Sequence, residues 1–169
     1  MVEVEKMRRI GVGKLIDILY RKEITEIIPE WYVKTGRLLH NKFGYYENLT
    51  LAKYHEHQNE KYLIIGSPDL IEDNGTIVEF KVAFSPRTID YQRRKGETQA
   101  NIYCWLGNFP YYQCDVYSYR ENKLLYGERK PFDEQKAITS VNLALELLNE
   151  YTKYLAKRKK LLMENGWES

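Results

Sequence analysis

The sequence predicts an α/β (α+β) fold, in which a central mixed β-sheet is flanked by helices, within a single domain of residues 1–169. Three observations support this prediction. The chain has 169 residues, close to the ~150 residues of a typical domain. No repeat, low-complexity tract or Pro/Gly/Ser-rich linker divides it. The spacing of the apolar residues changes from helical to alternating and back, which gives the element order ααβββαββα.

The N-terminal half contains two predicted helices followed by three predicted strands. Apolar residues at helical spacing predict a helix over residues 12–22, and Pro29 marks the break before a second helix over residues 31–43. The predicted strands are residues 50–57, 62–71 and 75–84. Residues 73–75 (Asp-Asn-Gly) form a turn signal before the last of these strands, so the three strands are expected to form a meander.

The C-terminal half contains a helix, a hairpin and a long helix. Residues 91–106 have helical spacing and end at Gly107-Asn108, with Pro110 beyond. Residues 111–119 and 124–130 are predicted to pair as a hairpin around a polar turn. Residues 133–163 form one long helix, and Gly166 lies past its end. The apolar stripe of this helix consists of Ile138, Val141, Leu145, Leu148, Tyr151 and Leu155.

The charge balance of the whole chain is uninformative about its partners. The 26 basic and 24 acidic side chains give a net charge of +2. Residues 1–85 carry 12 basic and 13 acidic side chains, whereas residues 86–169 carry 14 basic and 11 acidic ones. The longest apolar runs span only a few residues, as at 63–65, and the charged first ten residues lack the apolar core of a signal peptide. We therefore expect no membrane association and an intracellular, cytoplasmic location.

Two carboxylates and a lysine are expected to meet across the predicted turn at residues 73–75. Asp69 lies near the end of one predicted strand, and Glu79 and Lys81 lie on one face of the next strand. Neighbouring carboxylates repel unless one binds a proton or both bind a cation. Two carboxylates suit Mg²⁺ or Mn²⁺, the backbone carbonyl of Phe80 could supply another oxygen, and a lysine beside the metal can orient water or stabilise phosphate charge.

A purely structural interpretation of these residues is also open. A Glu-x-Lys on a strand is commonly a solvated face, and an aspartate before a turn commonly caps backbone amides. A separate metal hypothesis would combine His55 and His57, which share a strand face, with Cys104 and Cys114 in a zinc site.

The residues Pro68-Asp69, a nine-residue spacer and Glu79-Phe80-Lys81 resemble the PD-(D/E)XK nuclease superfamily. Two further motifs are similar to its RecB-type exonuclease branch, which includes small CRISPR-associated and viral single-domain members. These motifs are a histidine after a glycine on an upstream helix, here residues 36–40 ending in His40, and Q-x-x-x-Y on a downstream helix, here Gln99 to Tyr103.

The resemblance implies a restriction-endonuclease-like fold and a metal-dependent deoxyribonuclease that acts on DNA ends or single strands, in repair or recombination. It implies that the metal ligands are His40, Asp69, Glu79 and the Phe80 carbonyl. Lys81 would be the catalytic lysine, while Gln99 and Tyr103 would support the site or touch the DNA. The imidazole would shift the metal preference from Mg²⁺ toward Mn²⁺. Gln99 and Tyr103 share one helical face because they are four residues apart.

Other functions remain compatible with this resemblance. The fold also serves structure-selective endonucleases of the Holliday-junction-resolvase kind, and a catalytically silent DNA-binding module is a third candidate. Many relatives hold an iron–sulfur cluster on four cysteines, but this chain has only Cys104 and Cys114, so we expect no such cluster. No Walker A loop is present, so any helicase or recombination partner would be a separate protein.

A basic segment precedes the Q-x-x-x-Y motif. Residues 87–95 contain Arg87, Arg93, Arg94 and Lys95 against one acidic residue, so they are candidate phosphate contacts for DNA. Tyr91 and Tyr103 are candidates for stacking on unpaired bases. A second basic run, Lys153 and residues 157–160, fits a solvated face of the last helix.

Overall fold

The computed structural model describes residues 7–20, 30–45 and 49–166. Within these residues the chain forms eight strands and four α-helices, and the predicted α/β class with mixed sheets and flanking helices is confirmed. The elements are β1 (Arg8–Gly11), α1 (Val12–Leu19), α2 (Glu30–Lys42), β2 (Leu51–His57), β3 (Glu60–Gly66), β4 (Leu70–Ile71), β5 (Thr76–Ala83), α3 (Ile89–Gly107), β6 (Tyr111–Ser118), β7 (Lys123–Leu125), β8 (Lys130–Pro131) and α4 (Glu134–Glu164).

The first sheet has the strand order β1-β3-β2. β2 and β3 form an antiparallel hairpin, whose turn residues Gln58 and Asn59 have φ values of 51° and 61°. β1 runs parallel to β3 and pairs Ile10 with Ile64. The sequence pattern misses β1, because Arg-Arg-Ile-Gly is too short to show an alternating signal.

The second sheet has the order β4-β5-β6-β7, with β8 also paired to β6. β5 and β6 are parallel, and α3 connects them. The predicted three-strand meander is wrong, because residues 62–71 divide into β3 and β4 and because β5 pairs with β4 and β6 rather than with β3. The predicted hairpin of residues 111–119 and 124–130 forms only in part. β7 pairs with the C-terminal end of β6, and β8 pairs with the N-terminal end of β6.

The helices cover β5 on both faces. Its even-numbered residues Val78 and Phe80 pack with Leu39 of α2 and with Tyr45 in one apolar cluster. Its odd-numbered face lies against α3, where Gly96 approaches Lys81. Because adjacent strand residues point to opposite faces, Glu79 and Lys81 share the α3 side. Sequence alternation therefore predicts their common face correctly.

The helix bounds agree closely with the predicted ones where the chain is described. α3 ends at Asn108, whose φ of 57° gives the left-handed cap that the Gly-Asn signal predicts. The predicted break at Pro29 and the end of the first predicted helix at residues 21–22 lie outside the described residues. Among the described helices, none has a stretch of the length and apolarity needed to cross a bilayer.

Candidate active site

Asp69 and Glu79 are joined by two hydrogen bonds from backbone N–H groups, at the point where β4 begins beside the middle of β5. The backbone N–H of Asp69 donates to Glu79 Oε1 at 3.1 Å, and the N–H of Phe80 donates to Asp69 Oδ2 at 2.8 Å. Asp69 immediately precedes β4, whose two residues pair with Val78 and Ile77. The short β4 thus leaves the backbone of β5 open beyond Val78, and Asp69 occupies that opening.

Glu79 is a buried carboxylate beside a second carboxylate. Its side chain is almost completely shielded, with a relative exposure of 1%. Burial raises the pKa of Glu79 well above its usual range, and the adjacent Asp69 raises this pKa further, whereas Lys81 opposes the shift. Hydrogen bonding between the two carboxyl groups also raises the pKa of Glu79. The pair is therefore stabilised either by a proton or by a cation.

Two further candidate ligands lie on the same side of the pair. In a strand, the N–H and C=O of one residue point to the same edge. Because the Phe80 N–H faces Asp69, the Phe80 carbonyl faces that open edge as well. His40 of α2 places Nδ1 3.5 Å from Asp69 Oδ1, and its ring packs edge-on against Phe80 with the centroids 4.7 Å apart. The structure therefore brings His40, Asp69, Glu79 and Phe80 together.

Lys81 lies on the opposite flank of Glu79 and is held by α3. Its Nζ atom donates to Gln99 Oε1 at 2.6 Å. Gln99 Nε2 in turn lies 3.5 Å from the hydroxyl of Tyr103, one helical turn further along α3. Both α3 residues are buried. The predicted common face of Gln99 and Tyr103 is thus the face that meets Lys81.

Gly66 makes the position of Tyr103 possible. A Cβ on Gly66 would lie 2.9 Å from Tyr103 Cε1 and 3.0 Å from its hydroxyl oxygen. The ring therefore rests directly on the backbone of β3, just ahead of Asp69. Sequence reasoning missed this role for Gly66, although a glycine at the end of an otherwise apolar strand is a signal of close approach.

Lys95 lies between the candidate active site and α1. Its Nζ atom lies 3.7 Å from Asp17 Oδ1. Burial lowers the pKa of Lys95 and the nearby Lys81 lowers it further, while Asp17 partly offsets both effects. Lys95 is thus a predicted phosphate contact whose charge is close enough to that of Lys81 to be affected by it.

The three arginines of the basic segment occupy different settings. Arg87 and Arg94 are exposed. Arg93 is partly buried and donates to two backbone carbonyl oxygens, of Cys114 at 2.7 Å and of Leu125 at 3.3 Å. A phosphate would have to compete with these bonds for Arg93, whereas Arg87 and Arg94 face solvent. Lys153 and residues 157–160 of α4 are also exposed.

The two tyrosines that the sequence suggests for base stacking make contacts within the fold. The Tyr91 hydroxyl donates to the backbone carbonyl of Tyr20 at 2.5 Å, and the two rings meet edge to face. Tyr103 is buried against Gly66. Tyr103 therefore offers no open ring face to a base, and Tyr91 is partly buried and anchored to Tyr20.

Residues of the alternative zinc site have separate hydrogen-bond partners. His55 Nε2 bonds with Asn142 of α4 at 2.6 Å, and His57 Nε2 bonds with Glu146 at 3.0 Å. The thiol of Cys104 donates to the carbonyl of Tyr111 at 3.1 Å, and burial raises its pKa to about 12. These contacts anchor β2 to α4 and keep the Cys104 thiol protonated, so they do not support zinc binding.

A buried aspartate that the sequence did not single out lies behind the site. Asp115 of β6 pairs in register with Phe80 and accepts hydrogen bonds from the Tyr45 hydroxyl (2.6 Å), Gln113 Nε2 (2.8 Å) and the Gly127 N–H (2.8 Å). These three donors satisfy its carboxylate. Asp115 therefore joins the end of α2 to β6 and has a structural role.

The ligand atoms around Asp69 are of the chemical types that bind a hard divalent cation. Two carboxylates, a main-chain carbonyl and one imidazole match Mg²⁺ or Mn²⁺ chemistry, and a cation would relieve the repulsion that raises the Glu79 pKa. Across residues 7–20, 30–45 and 49–166, no group of three or more His, Cys, Asp and Glu side chains is already arranged as a metal site. One oxygen of each carboxylate is bonded to a backbone N–H instead.

Comparisons with known proteins support the fold. No family model and no curated protein matches the chain. The crystal structure of SSO0001 is similar at a TM-score of 0.62, with 18% sequence identity over 88% of this chain and 80% of that chain. This likeness is consistent with the restriction-endonuclease-like fold.

Two structures of one exonuclease resemble the chain more distantly. LHK-Exo in complex with dAMP has a TM-score of 0.48 and 16% identity over 90% of this chain and 94% of that chain. The alkaline exonuclease LHK-Exo from Laribacter hongkongensis has a TM-score of 0.43 and 14% identity over 91% and 94% of the two chains. One fold hosts many functions, so these likenesses do not define the function.

Proposed function

We propose that this protein is a metal-dependent deoxyribonuclease that hydrolyses phosphodiester bonds, acting on DNA ends or single strands. The observation that supports the proposal most is the buried Glu79 beside Asp69, with the Lys81 amine held on its other flank by Gln99. A carboxylate pair of this kind is costly to bury without a cation. A buried pair with such an energetic cost is more typical of a functional site than of an interaction that stabilises the fold.

The hydrolysis needs a water molecule that attacks the phosphorus and a leaving oxygen that gains a proton as its P–O bond breaks. When bound, a divalent cation held by Asp69, Glu79, His40 and the Phe80 carbonyl would supply positive charge beside the scissile phosphate. Lys81, whose Nζ is oriented by Gln99, donates to a phosphate oxygen or to the attacking water. Lys95 and the exposed Arg87 and Arg94 supply charge for the neighbouring phosphates.

The assay that tests this proposal compares four DNA substrates: linear single-stranded, linear duplex, circular and four-way-junction DNA. Each is incubated with Mg²⁺, with Mn²⁺ or with EDTA. We expect linear DNA to be cleaved with either metal and to survive in EDTA. Cleavage of circular DNA would identify an endonuclease, cleavage restricted to the junction would identify a resolvase, and DNA binding without any cleavage would identify a silent module.

Variants assign the activity to the site. Asp69→Asn, Glu79→Gln and Lys81→Ala should each lower the cleavage rate about 100-fold or more. Asp73→Asn and Lys123→Ala serve as matched controls, because both side chains are exposed, on the turn before β5 and on β7 respectively. Undiminished cleavage by the Glu79 and Lys81 variants would rule out the mechanism.

A further inference from the structure

Four aromatic side chains from three parts of the chain meet on the protein surface. Trp31 and Tyr32 lie in the first turn of α2, Phe84 follows β5 and Tyr119 follows β6. We call these four residues the aromatic cluster. Ring centroids lie 4.2 Å apart for Trp31–Tyr32, 3.9 Å for Tyr32–Phe84 and 5.3 Å for Phe84–Tyr119. The outer members are solvent-accessible, with relative exposures of 54% for Trp31 and 47% for Tyr119.

The aromatic cluster is connected to the candidate active site by α2 and β5. His40 contacts Phe80 near Asp69, and Tyr32 contacts Phe84 at the other end of the same two elements. Tyr32 precedes His40 by eight residues, which is about 12 Å along a helix. Phe84 follows Phe80 by four residues, which is about 13 Å along a strand. The rings of Tyr32 and Phe84 therefore lie about 12–13 Å along α2 and β5 from the contact between His40 and Phe80.

Arginines lie close in sequence to Phe84 and Tyr119, the two rings at the ends of strands. Arg87 lies three residues after Phe84, in a 3₁₀ turn, and Arg120 directly follows Tyr119. Both arginines are exposed. At the start of α2, the exposed Lys34 is paired with Glu30 at 3.1 Å. Exposed guanidinium groups beside exposed rings match the two components of a nucleic-acid strand, its phosphates and its bases.

We propose that the aromatic cluster is a stacking platform for unpaired DNA bases, which holds the strand whose phosphate enters the candidate active site. The inference rests on the proposed function and specifies its substrate as single-stranded, because a base inside a duplex has no free face to offer a protein ring. Stacking accepts any base, so the platform confers preference for single strands without sequence preference. Trp31 and Tyr119 supply the open ring faces, and Tyr32 and Phe84 support them from within the cluster.

Binding measurements separate base stacking from attraction of the phosphates. Fluorescence anisotropy is recorded in EDTA with a labelled oligothymidylate and with an abasic oligomer of the same length, at two salt concentrations. We expect Trp31→Ala and Tyr119→Ala to weaken oligothymidylate binding at least about fivefold each, since one stacked base contributes roughly this much or more. Binding of the abasic oligomer and the salt dependence should be unchanged, and Trp31→Phe should retain most of the affinity.

The matched control is Tyr54→Ala, which removes a tyrosine of β2 that is even more exposed, at 71%, and that lies on the sheet without β5 and β6. Its DNA binding should equal that of the wild type. Equal losses on the normal and abasic oligomers, or no loss in either cluster variant, would overturn the platform. So would a dimer of the wild type that Trp31→Ala dissociates without changing DNA affinity, because the cluster would then bind a second copy.

A small substrate distinguishes failure of the platform from failure of the proposed nuclease. With its phosphate at the candidate active site, the p-nitrophenyl ester of thymidine 5′-phosphate has a single base, which is shorter than the helix length of about 12 Å between His40 and Tyr32. We expect wild type, Trp31→Ala and Tyr119→Ala to cleave it at equal rates with Mn²⁺. Cleavage of this ester together with unaltered oligomer binding by the cluster variants would refute the platform alone. Absence of cleavage of both ester and DNA would refute the nuclease.

Discussion

The Nζ atom of Lys81 donates a hydrogen bond to Oε1 of Gln99 at 2.6 Å. The two residues lie on different elements, β5 and α3, so the bond fixes the lysine between the sheet and the helix. An unbranched lysine side chain has many rotamers, and ordering it costs up to about 2 kcal/mol. Gln99 therefore acts as a positioning residue for Lys81 in the proposed reaction.

Loss of this contact should affect the reaction more than substrate binding. We expect Gln99→Ala to lower kcat of DNA cleavage about 10- to 100-fold with little change in KM, because the Lys81 amine is no longer held in place. Gln92→Ala, which changes another glutamine of α3, is the control. The double variant Lys81→Ala/Gln99→Ala should be no slower than Lys81→Ala alone. Additive losses in the double variant would show that Gln99 acts independently of Lys81.

The part of the site that sequence reasoning captures is the part set by local periodicity. Glu79 and Lys81 share a face because strand residues alternate, and Gln99 and Tyr103 share a face because they are four residues apart on a helix. Each rule acts within one element, so a single sequence reveals it. The contact between the two faces then follows from packing α3 on β5.

The parts of the fold and site that local periodicity does not predict depend on residues that are far apart in sequence. Tyr45 and Asp115 bond across 70 positions, and Lys95 meets Asp17 across 78. β1 exists because β3 provides a parallel partner more than 50 residues later. No local pattern encodes such pairings. The division of residues 62–71 into β3 and β4 is different, because Gly66-Ser67-Pro68 is a local break signal within that apolar run.

Glu79→Gln should stabilise the metal-free protein at neutral pH. Burial and Asp69 raise the folded-state pKa of Glu79 above its usual 4.5. The unfolded chain therefore releases this proton at lower pH than the folded protein, and the free energy of unfolding declines as pH rises from about 4.5 through the folded-state pKa. Glutamine removes the ionisation yet keeps an oxygen for the Asp69 N–H.

Denaturant unfolding in EDTA at pH 5 and pH 8 measures this effect. The variant should exceed wild type by about 1 kcal/mol at pH 8, a common gain when a strained functional group is removed, and by less at pH 5. Asp73→Asn should show no such difference. Added Mn²⁺ should raise the stability of wild type but not of Glu79→Gln. A Glu79→Gln protein that is less stable than wild type at pH 8 would contradict the assignment of a strained carboxylate.

Both cysteines should be unreactive in the folded protein. Cys104 and Cys114 are buried, and burial raises the pKa of each thiol to about 12. The thiolate is the reactive form, so a thiol reagent at pH 8 should label neither residue until denaturant is added. Rapid labelling of either cysteine in the native protein would show that the fold opens locally there.

The same thiols should make the fold sensitive to alkali. In the unfolded chain they ionise near pH 9, whereas in the fold they stay protonated to about pH 12. Their contribution to stability is therefore complete below pH 9 and is lost as pH rises toward 12, by up to about 1.4 kcal/mol per pH unit for each thiol. Denaturant unfolding between pH 8 and pH 11 should show a shallower decline in Cys104→Ala/Cys114→Ala than in wild type.

Two glycine-to-alanine changes in helices should have opposite effects. Around Gly36 of α2 no atom lies within 4 Å of an added Cβ, whereas a Cβ on Gly96 of α3 would collide with the Cys114 sulfur and lie 3.1 Å from Lys81 Cγ. Alanine favours a helix over glycine by about 1 kcal/mol. Gly36→Ala should therefore stabilise the protein by roughly 0.5–1 kcal/mol, and Gly96→Ala should destabilise it by about 1–3 kcal/mol because of overpacking.

The collision at Gly96 can be tested by removing its partner. Cys114→Ala deletes the sulfur, so Gly96→Ala should cost less in that background than in wild type when both are measured by urea unfolding. Because the added Cβ also presses on Lys81, Gly96→Ala should slow DNA cleavage while Gly36→Ala does not. Equal unfolding penalties for Gly96→Ala in the two backgrounds would mean that the contact with Cys114 does not require glycine at this position, and that the close packing of α3 on β6 is set elsewhere.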